Sequence, residues 1–248
     1  MSEPGNATTV RAAGERGPSG PAAQPQGAGY MSERGSGTTV RAALAGLPVN
    51  LLVRDRRVVV VGAGRIAARK IEPLLDLGAR VVVVAPVVVP EIHAWVDAGR
   101  CALIERAFTP ADLDGAWLAL TATDDPAVNA AVYEAGEAAR VWVNSADDPA
   151  NCAFTMMSVV RRADLVVAVS TGGRSPALAT YLRRYLGAEI GPEFEVLLEL
   201  LSEAREAMRA SGRSSEDADW QLAFDSGIVD LVRAGRVADA KELLNSCL

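Results

Sequence analysis

Four consecutive valines run straight into a glycine turn: Arg57-Val58-Val59-Val60-Val61-Gly62-Ala63-Gly64-Arg65-Ile66-Ala67. An unbroken row of β-branched residues reads as a strand buried on both faces, as in parallel sheets covered by helices on each side. The Gly-x-Gly-x-x-Ala spacing narrows what can follow. Gly62 permits a tight turn, Gly64 lets the backbone approach a pyrophosphate, and the small Ala67 lets a helix pack closely on the strand. That helix, expected to run to Gly78, would aim its free N–H groups at the phosphates. Pro73 inside it predicts a kink or a shifted start.

The pattern recurs downstream. Short Val-rich runs at residues 80–85, 102–105, 117–122 and 141–144 alternate with helical stretches long enough for parallel crossovers. This predicts an α/β fold with a Rossmann-like doubly wound parallel sheet, a dinucleotide-binding domain over residues 46–150. A loop and one further strand, Asp164 to Ser170, are expected in a small α+β segment over 151–186. A helical unit over 187–248 follows, because Phe194, Leu197, Leu198, Leu200 and Leu201, then Ile228, Leu231, Val232 and Val237, keep helical spacing.

The first 45 residues differ in kind. Eight Gly and four Pro stand against Val10, Val40 and Leu44 as the only branched aliphatics, too few to offset the ordering entropy of a packed segment, so a disordered leader is expected. Within it, the pattern of Met1 to Ala13 returns at Met31 to Ala43 with ten of thirteen positions identical, a local duplication offering Met31 as a second candidate start.

Charge and rare residues exclude several chemistries. Lys+Arg 25 against Asp+Glu 31 leaves a net −6, so no nucleic-acid partner is expected, and no apolar run is long enough to span a membrane. Cys101, Cys152 and Cys247 are few and far apart, which argues against disulfides and zinc clusters and fits a reducing cytoplasmic setting. A single histidine, His93, excludes two-histidine metal sites and reads as a surface or packing residue; no resident metal is expected.

Ligands of such sheets bind beyond the carboxyl ends of the strands. Thr121 and Thr123 at the end of the fourth strand are therefore candidate cofactor-wall residues, while Asp124 or Asp125 suits a helix cap before Pro126. The second strand ends Val83-Val84-Ala85-Pro86-Val87, with neither an acid for ribose hydroxyls nor an arginine for a 2′-phosphate. After the fifth strand, Asn144-Ser145-Ala146-Asp147-Asp148-Pro149 offers a carboxylate as proton acceptor, but an Asx turn for either aspartate is equally compatible with the spacing. Ser170-Thr171-Gly172-Gly173-Arg174-Ser175-Pro176 presents hydroxyls, N–H groups and a guanidinium suited to carboxylates or phosphates; a turn with Ser175 as N-cap accounts for it equally.

In order, these segments resemble the precorrin-2 dehydrogenase and sirohydrochlorin ferrochelatase family, the NAD-dependent module of siroheme synthase. The resemblance runs from about Leu47 to Leu186 through Arg54-Asp55-Arg56, the glycine turn with Arg69-Lys70, Ala122-Thr123-Asp124-Asp125-x-x-Val128-Asn129, Val143-Asn144-x-x-Asp147-x-Pro149 and Ala168-Val169-Ser170-Thr171-Gly172-Gly173-x-Ser175-Pro176. It implies oxidation of precorrin-2 to sirohydrochlorin with NAD as cofactor, and in some members insertion of ferrous iron; ferrous or cobalt ion is thus a candidate further substrate. It also implies Asp147 as the catalytic residue, cofactor contacts at Gly62, Ala63, Gly64, Arg65, Ile66, Pro86 and Val87, and a segment next to the substrate cleft at Ser170-Thr171, beside which Asn144, Gly172, Arg174 and Ser175 are further candidate substrate contacts. The family fold is a homodimer. Arg161, Arg162, Arg174, Arg183 and Arg184 would then serve a polycarboxylate tetrapyrrole. Two rival readings stay open: a non-catalytic module that senses NAD(H) or binds tetrapyrrole, and a chelatase acting without NAD.

Overall fold

A computed structural model describes residues 46–146, 148–216 and 218–248. The expected leader lies outside the described residues, as does Asp147. Five strands form one parallel sheet: β1 (Arg57–Val61), β2 (Arg80–Val84), β3 (Ala102–Ile104), β4 (Leu118–Thr121) and β5 (Trp142–Ser145), in the order β3-β2-β1-β4-β5. The crossovers are α1 (Arg65–Asp76), α2 (Pro90–Asp97) and α3 (Pro126–Ala139), with a tight turn at Pro110–Leu113 between β3 and β4.

Strand periodicity divides the valines between two cores. Val58, Val60, Val81 and Val83 point to the face covered by Ala67, Ala68, Ile71 and Leu74 of α1 and Ile92 of α2. Val59, Val61, Val82 and Val84 point to the other, against Val132 of α3 and Leu113. Each fully buried valine contributes roughly 1.5–2 kcal/mol, so the double coverage explains why these strands have no polar position inside them. On the α3 side the fit is close: a Cβ on Gly136 would stand 2.2 Å from Val143 Cγ2.

Pro73 neither breaks α1 nor shifts its start. It lies exposed in the last turn, where only the hydrogen bond to the carbonyl of Arg69 is forgone. The single strand expected after the loop is instead a hairpin: β6 (Ser158–Arg162) pairs antiparallel with β7 (Leu165–Val169) across Ala163-Asp164. The turn hides itself in the sequence, because Ala163 occupies the left-handed region at φ 46°, where Gly or Asn would have signalled a hairpin.

Helix α4 (Pro176–Glu189) lies on this hairpin and buries none of its own residues fully. Beyond it α5 (Glu193–Ala210), α6 (Trp220–Asp225), α7 (Ile228–Arg233) and α8 (Val237–Cys247) close on a separate core of Leu197, Leu200, Ala223, Ile228, Val232, Ala240 and Leu244. No helix among the described residues is long and apolar enough to cross a membrane.

Candidate active site

A crevice of about 910 Å³ lies beyond the carboxyl ends of the parallel strands, where the strand order reverses between β1 and β4. Its floor is the turn after β1. Gly62 sits at φ 100°, and a Cβ there would stand 2.5 Å from the Ala122 carbonyl oxygen, so the turn packs against the end of β4 as only glycine allows. Gly64 is different. It is the N-cap of α1, has no side-chain cap, and a Cβ on it would meet nothing within 4 Å. The backbone is therefore bare on the crevice side, with the first N–H groups of α1 facing open space, the condition for close approach of a pyrophosphate.

Gly62, Ala63, Gly64, Arg65, Ile66, Pro86, Val87 and Thr123 all line this crevice. Thr121 does not: it is fully buried, and its Oγ1 shares a 2.8 Å hydrogen bond with Ser145 Oγ, tying β4 to β5 beneath the floor. Thr123 is partly committed, its hydroxyl donating to Asn129 Oδ1 at 2.9 Å while Asp125 caps α3 by accepting from Ala127 N at 2.8 Å. At the β2 end the walls are Val84, Ala85, Pro86 and Val87, and Arg65 is the only cation among the described lining residues. Space, bare glycine backbone and a helix N-terminus together fit a dinucleotide.

The crevice reaches Ala146, immediately before Asp147. The expected catalytic Asp147 falls outside the described residues, but its frame is visible. Asp148 has its Oδ2 engaged by Asn151 Nδ2 at 2.6 Å and behaves as a turn former. Cys152 closes the loop, its Sγ accepting from Ser145 N at 3.2 Å and lying 3.3 Å from the carbonyls of Ser145 and Asp148. Burial pushes this thiol up from its ordinary pKa, with Ser145 N–H opposing, so it is a structural tie and a poor nucleophile.

Asn144, expected near substrate, is an interior node, 5% exposed, donating from Nδ2 to Phe154 O at 3.0 Å and accepting from Lys70 Nζ at 2.8 Å. Lys70 was quoted above only as part of a motif. Its signal was periodicity: it lies on the inward stripe of α1 with Ala67, Ile71 and Leu74, where a lysine needs a polar destination.

Ser170, Thr171, Gly172, Arg174 and Ser175 stand together in the turn between β7 and α4, and none lines the crevice. Ser175 caps α4 by accepting from Leu178 N, Thr171 Oγ1 donates to Ser175 O at 3.1 Å, and Ser170 Oγ accepts from Gly172 N. Arg174 is exposed and forms no ion pair among the described residues. Nor does any group of three or more His, Cys, Asp or Glu converge as a metal site among them.

Comparison with known proteins follows the same outline. Residues 49–158 match a family described as "Putative NAD(P)-binding". Siroheme synthases of Escherichia coli, strains SMS-3-5 / SECEC and 55989 / EAEC among them, are 47% identical over 140 residues, covering 56% of this chain and 31% of theirs; the chain thus spans about a third of the length of these relatives. Among solved structures, one named "SirC, precorrin-2 dehydrogenase" superposes with a TM-score of 0.61 at 25% identity, covering 82% of this chain and 98% of that one.

Proposed function

We propose that the chain is a precorrin-2 dehydrogenase, similar to the corresponding part of siroheme synthases, and that it oxidises precorrin-2 to sirohydrochlorin with NAD. The observation that carries the proposal is the crevice itself. Bare Gly64 backbone and the α1 N-terminus stand at one end, and the strand end leading into Asp147 at the other. A nicotinamide dinucleotide bound there supplies the hydride acceptor.

The chain's own residues supply the rest. The α1 N–H groups and Arg65 hold the pyrophosphate, and Pro86 and Val87 flank the ribose beyond β2. Beyond β2 the described lining residues offer neither a carboxylate for the ribose hydroxyls nor a cation for a 2′-phosphate, and NAD enters this reading through the resemblance to precorrin-2 dehydrogenases. Removing a hydride leaves a proton to be taken up, and Asp147 is the base in this reading. Asp148 is the weaker candidate, since its carboxylate already serves Asn151.

Substrate carboxylates fall to the exposed guanidiniums of Arg161, Arg174, Arg183 and Arg184 and to the Ser170–Ser175 turn. Arg162 is less available, because its Nη2 donates to Gly187 O at 2.8 Å. Since that turn is not part of the crevice within one chain, the reading includes a homodimer in which a second copy brings the two halves of the substrate site together. Ferrous or cobalt ion enters only as a further substrate.

Purified protein mixed with enzymatically made precorrin-2 and NAD is expected to reduce NAD and develop the sirohydrochlorin absorbance. Absence of both with authentic substrate would reject the dehydrogenase. Asp147→Asn is expected to lower kcat by about 100-fold or more while sparing NAD binding, and Asp148→Asn to change it little. The reverse ranking would transfer the role. Metal insertion measured with and without NAD separates a chelatase from a dehydrogenase.

A further inference from the structure

The opposite end of the same sheet carries a second concentration of chemistry. Arg57 opens β1, Arg80 opens β2, and Arg100 and Cys101 lead into β3; together they line a cavity of about 470 Å³ floored by Val82 and Ala102. Because strands are parallel, this amino-terminal edge faces away from the dinucleotide crevice and shares no lining residue with it.

Arg57 and Arg80 are register partners on adjacent strands, about 4.8 Å apart at the backbone. Like charges so placed repel, and the usual remedy is a neighbouring carboxylate. Neither arginine forms an ion pair among the described residues: Arg80 Nε donates to Asp55 O at 2.9 Å and Arg57 Nη2 to Asp112 O at 3.2 Å, both backbone carbonyls. Arg57 Nε is buried with no acceptor. Only Arg100 has a carboxylate, Asp76 at 3.0 Å. Of the three arginines that line the cavity, two therefore have no carboxylate partner among the described residues, in a protein whose overall charge is −6.

We propose that this cavity binds a phosphate group carried on a small organic molecule, with Arg57, Arg80 and Arg100 taking the phosphate and Val82 and Ala102 the apolar remainder. A phosphate monoester carries roughly −1.5 to −2 at pH 7, which matches the unpaired charge. Its tetrahedral oxygens also accept from several planar guanidinium forks at once, a geometry that a lone carboxylate does not offer.

Cys101 lies in the cavity wall and reports occupancy directly. Iodoacetamide labelling of the intact chain, followed by peptide mass spectrometry, would compare inorganic phosphate at about 20 mM with chloride at equal ionic strength, since screening alone weakens exposed charge effects. Phosphate is expected to slow labelling of Cys101 by about threefold or more, by covering the thiol and disfavouring its thiolate, while Cys247 is unaffected. Arg80→Gln, at an exposed position, is expected to abolish the protection with an unchanged melting curve, and Arg57→Gln to abolish it as well. Should Arg57→Gln fail to fold, Arg80→Gln decides. Equal rates in phosphate and chloride overturn the proposal, as does protection that survives in Arg80→Gln; phosphate held only at the glycine turn would leave Cys101 unprotected and so also count against it.

Discussion

Gly62 and Gly64 are two residues apart and answer to different forces. Gly62 is held by the fold: its positive φ and the Ala122 carbonyl at 2.5 Å from a would-be Cβ leave no room for a side chain. Gly64 meets no protein atom within 4 Å there, so nothing in the fold itself requires a glycine, and the bare backbone leaves room for a ligand. Gly62→Ala is therefore expected to destabilise the domain by about 2 kcal/mol or more in urea unfolding, whether or not cofactor is present. Gly64→Ala should leave stability within about 1 kcal/mol and weaken NAD binding about tenfold or more by calorimetry. Equal losses of stability would remove the distinction. Among the remaining candidate residues, those whose placement depends on backbone spacing were readable from the sequence; those whose placement depends on a long-range partner were not. Thr121 looked like wall and is interior because Ser145 stands opposite it, and Asn144 looked like substrate contact because nothing in sequence joins it to Lys70, 74 residues away.

At the scale of elements, the parallel strands were visible because burial on both faces leaves an uninterrupted apolar run, whereas β6 was hidden by its own Arg161 and Arg162 and by an alanine turn. The same hairpin and α4 hold the best-developed exposed apolar surface near the proposed substrate turn. Leu178, Tyr181 and Tyr185 of α4 are 48%, 63% and 53% exposed, the two tyrosine rings stacked with centroids 6.5 Å apart. Val159 and Val166 stand exposed on a sheet of only two strands. Such a sheet is marginal alone and leaves edges for pairing, so a second copy is the natural cover. Light scattering is expected to report a dimer. Tyr181→Asp with Tyr185→Asp should shift it toward monomer and reduce turnover, while a wild-type monomer at micromolar concentration would defeat the dimer reading.

For the molecule as a whole, acidity sets the limits of stability. Asp112, in the turn between β3 and β4, is almost fully buried, accepting from Arg106 Nη1 and Nη2 at 2.8 and 2.5 Å and from Thr109 N and Oγ1 at 2.8 and 3.1 Å. The Arg106 guanidinium holds its carboxyl below the usual range, outweighing burial, which acts the other way. Glu193, bonded to Arg233 at 2.8 Å, is lowered for the same reason, in the helical unit. A lowered folded pKa means that the unfolded chain binds more protons around pH 4. The stabilisation is thus complete above the ordinary carboxylate range and is lost as pH falls through the depressed values. Urea unfolding should show stability falling below about pH 4, and Asp112→Asn should cost about 2 kcal/mol at pH 7 and flatten that fall, the figure being reduced because Arg106 is half exposed. An unchanged acid slope in this variant would place the proton uptake elsewhere.

β1 is five residues long, so Arg57 at its start and the glycine turn at its end are about 17 Å apart along one rigid strand buried on both faces. Two occupants at opposite ends of a shared beam are bound by reciprocity: whatever factor an anion at the arginine end imposes on dinucleotide affinity, the dinucleotide imposes on the anion. Titrating either one in the presence of the other measures the same number.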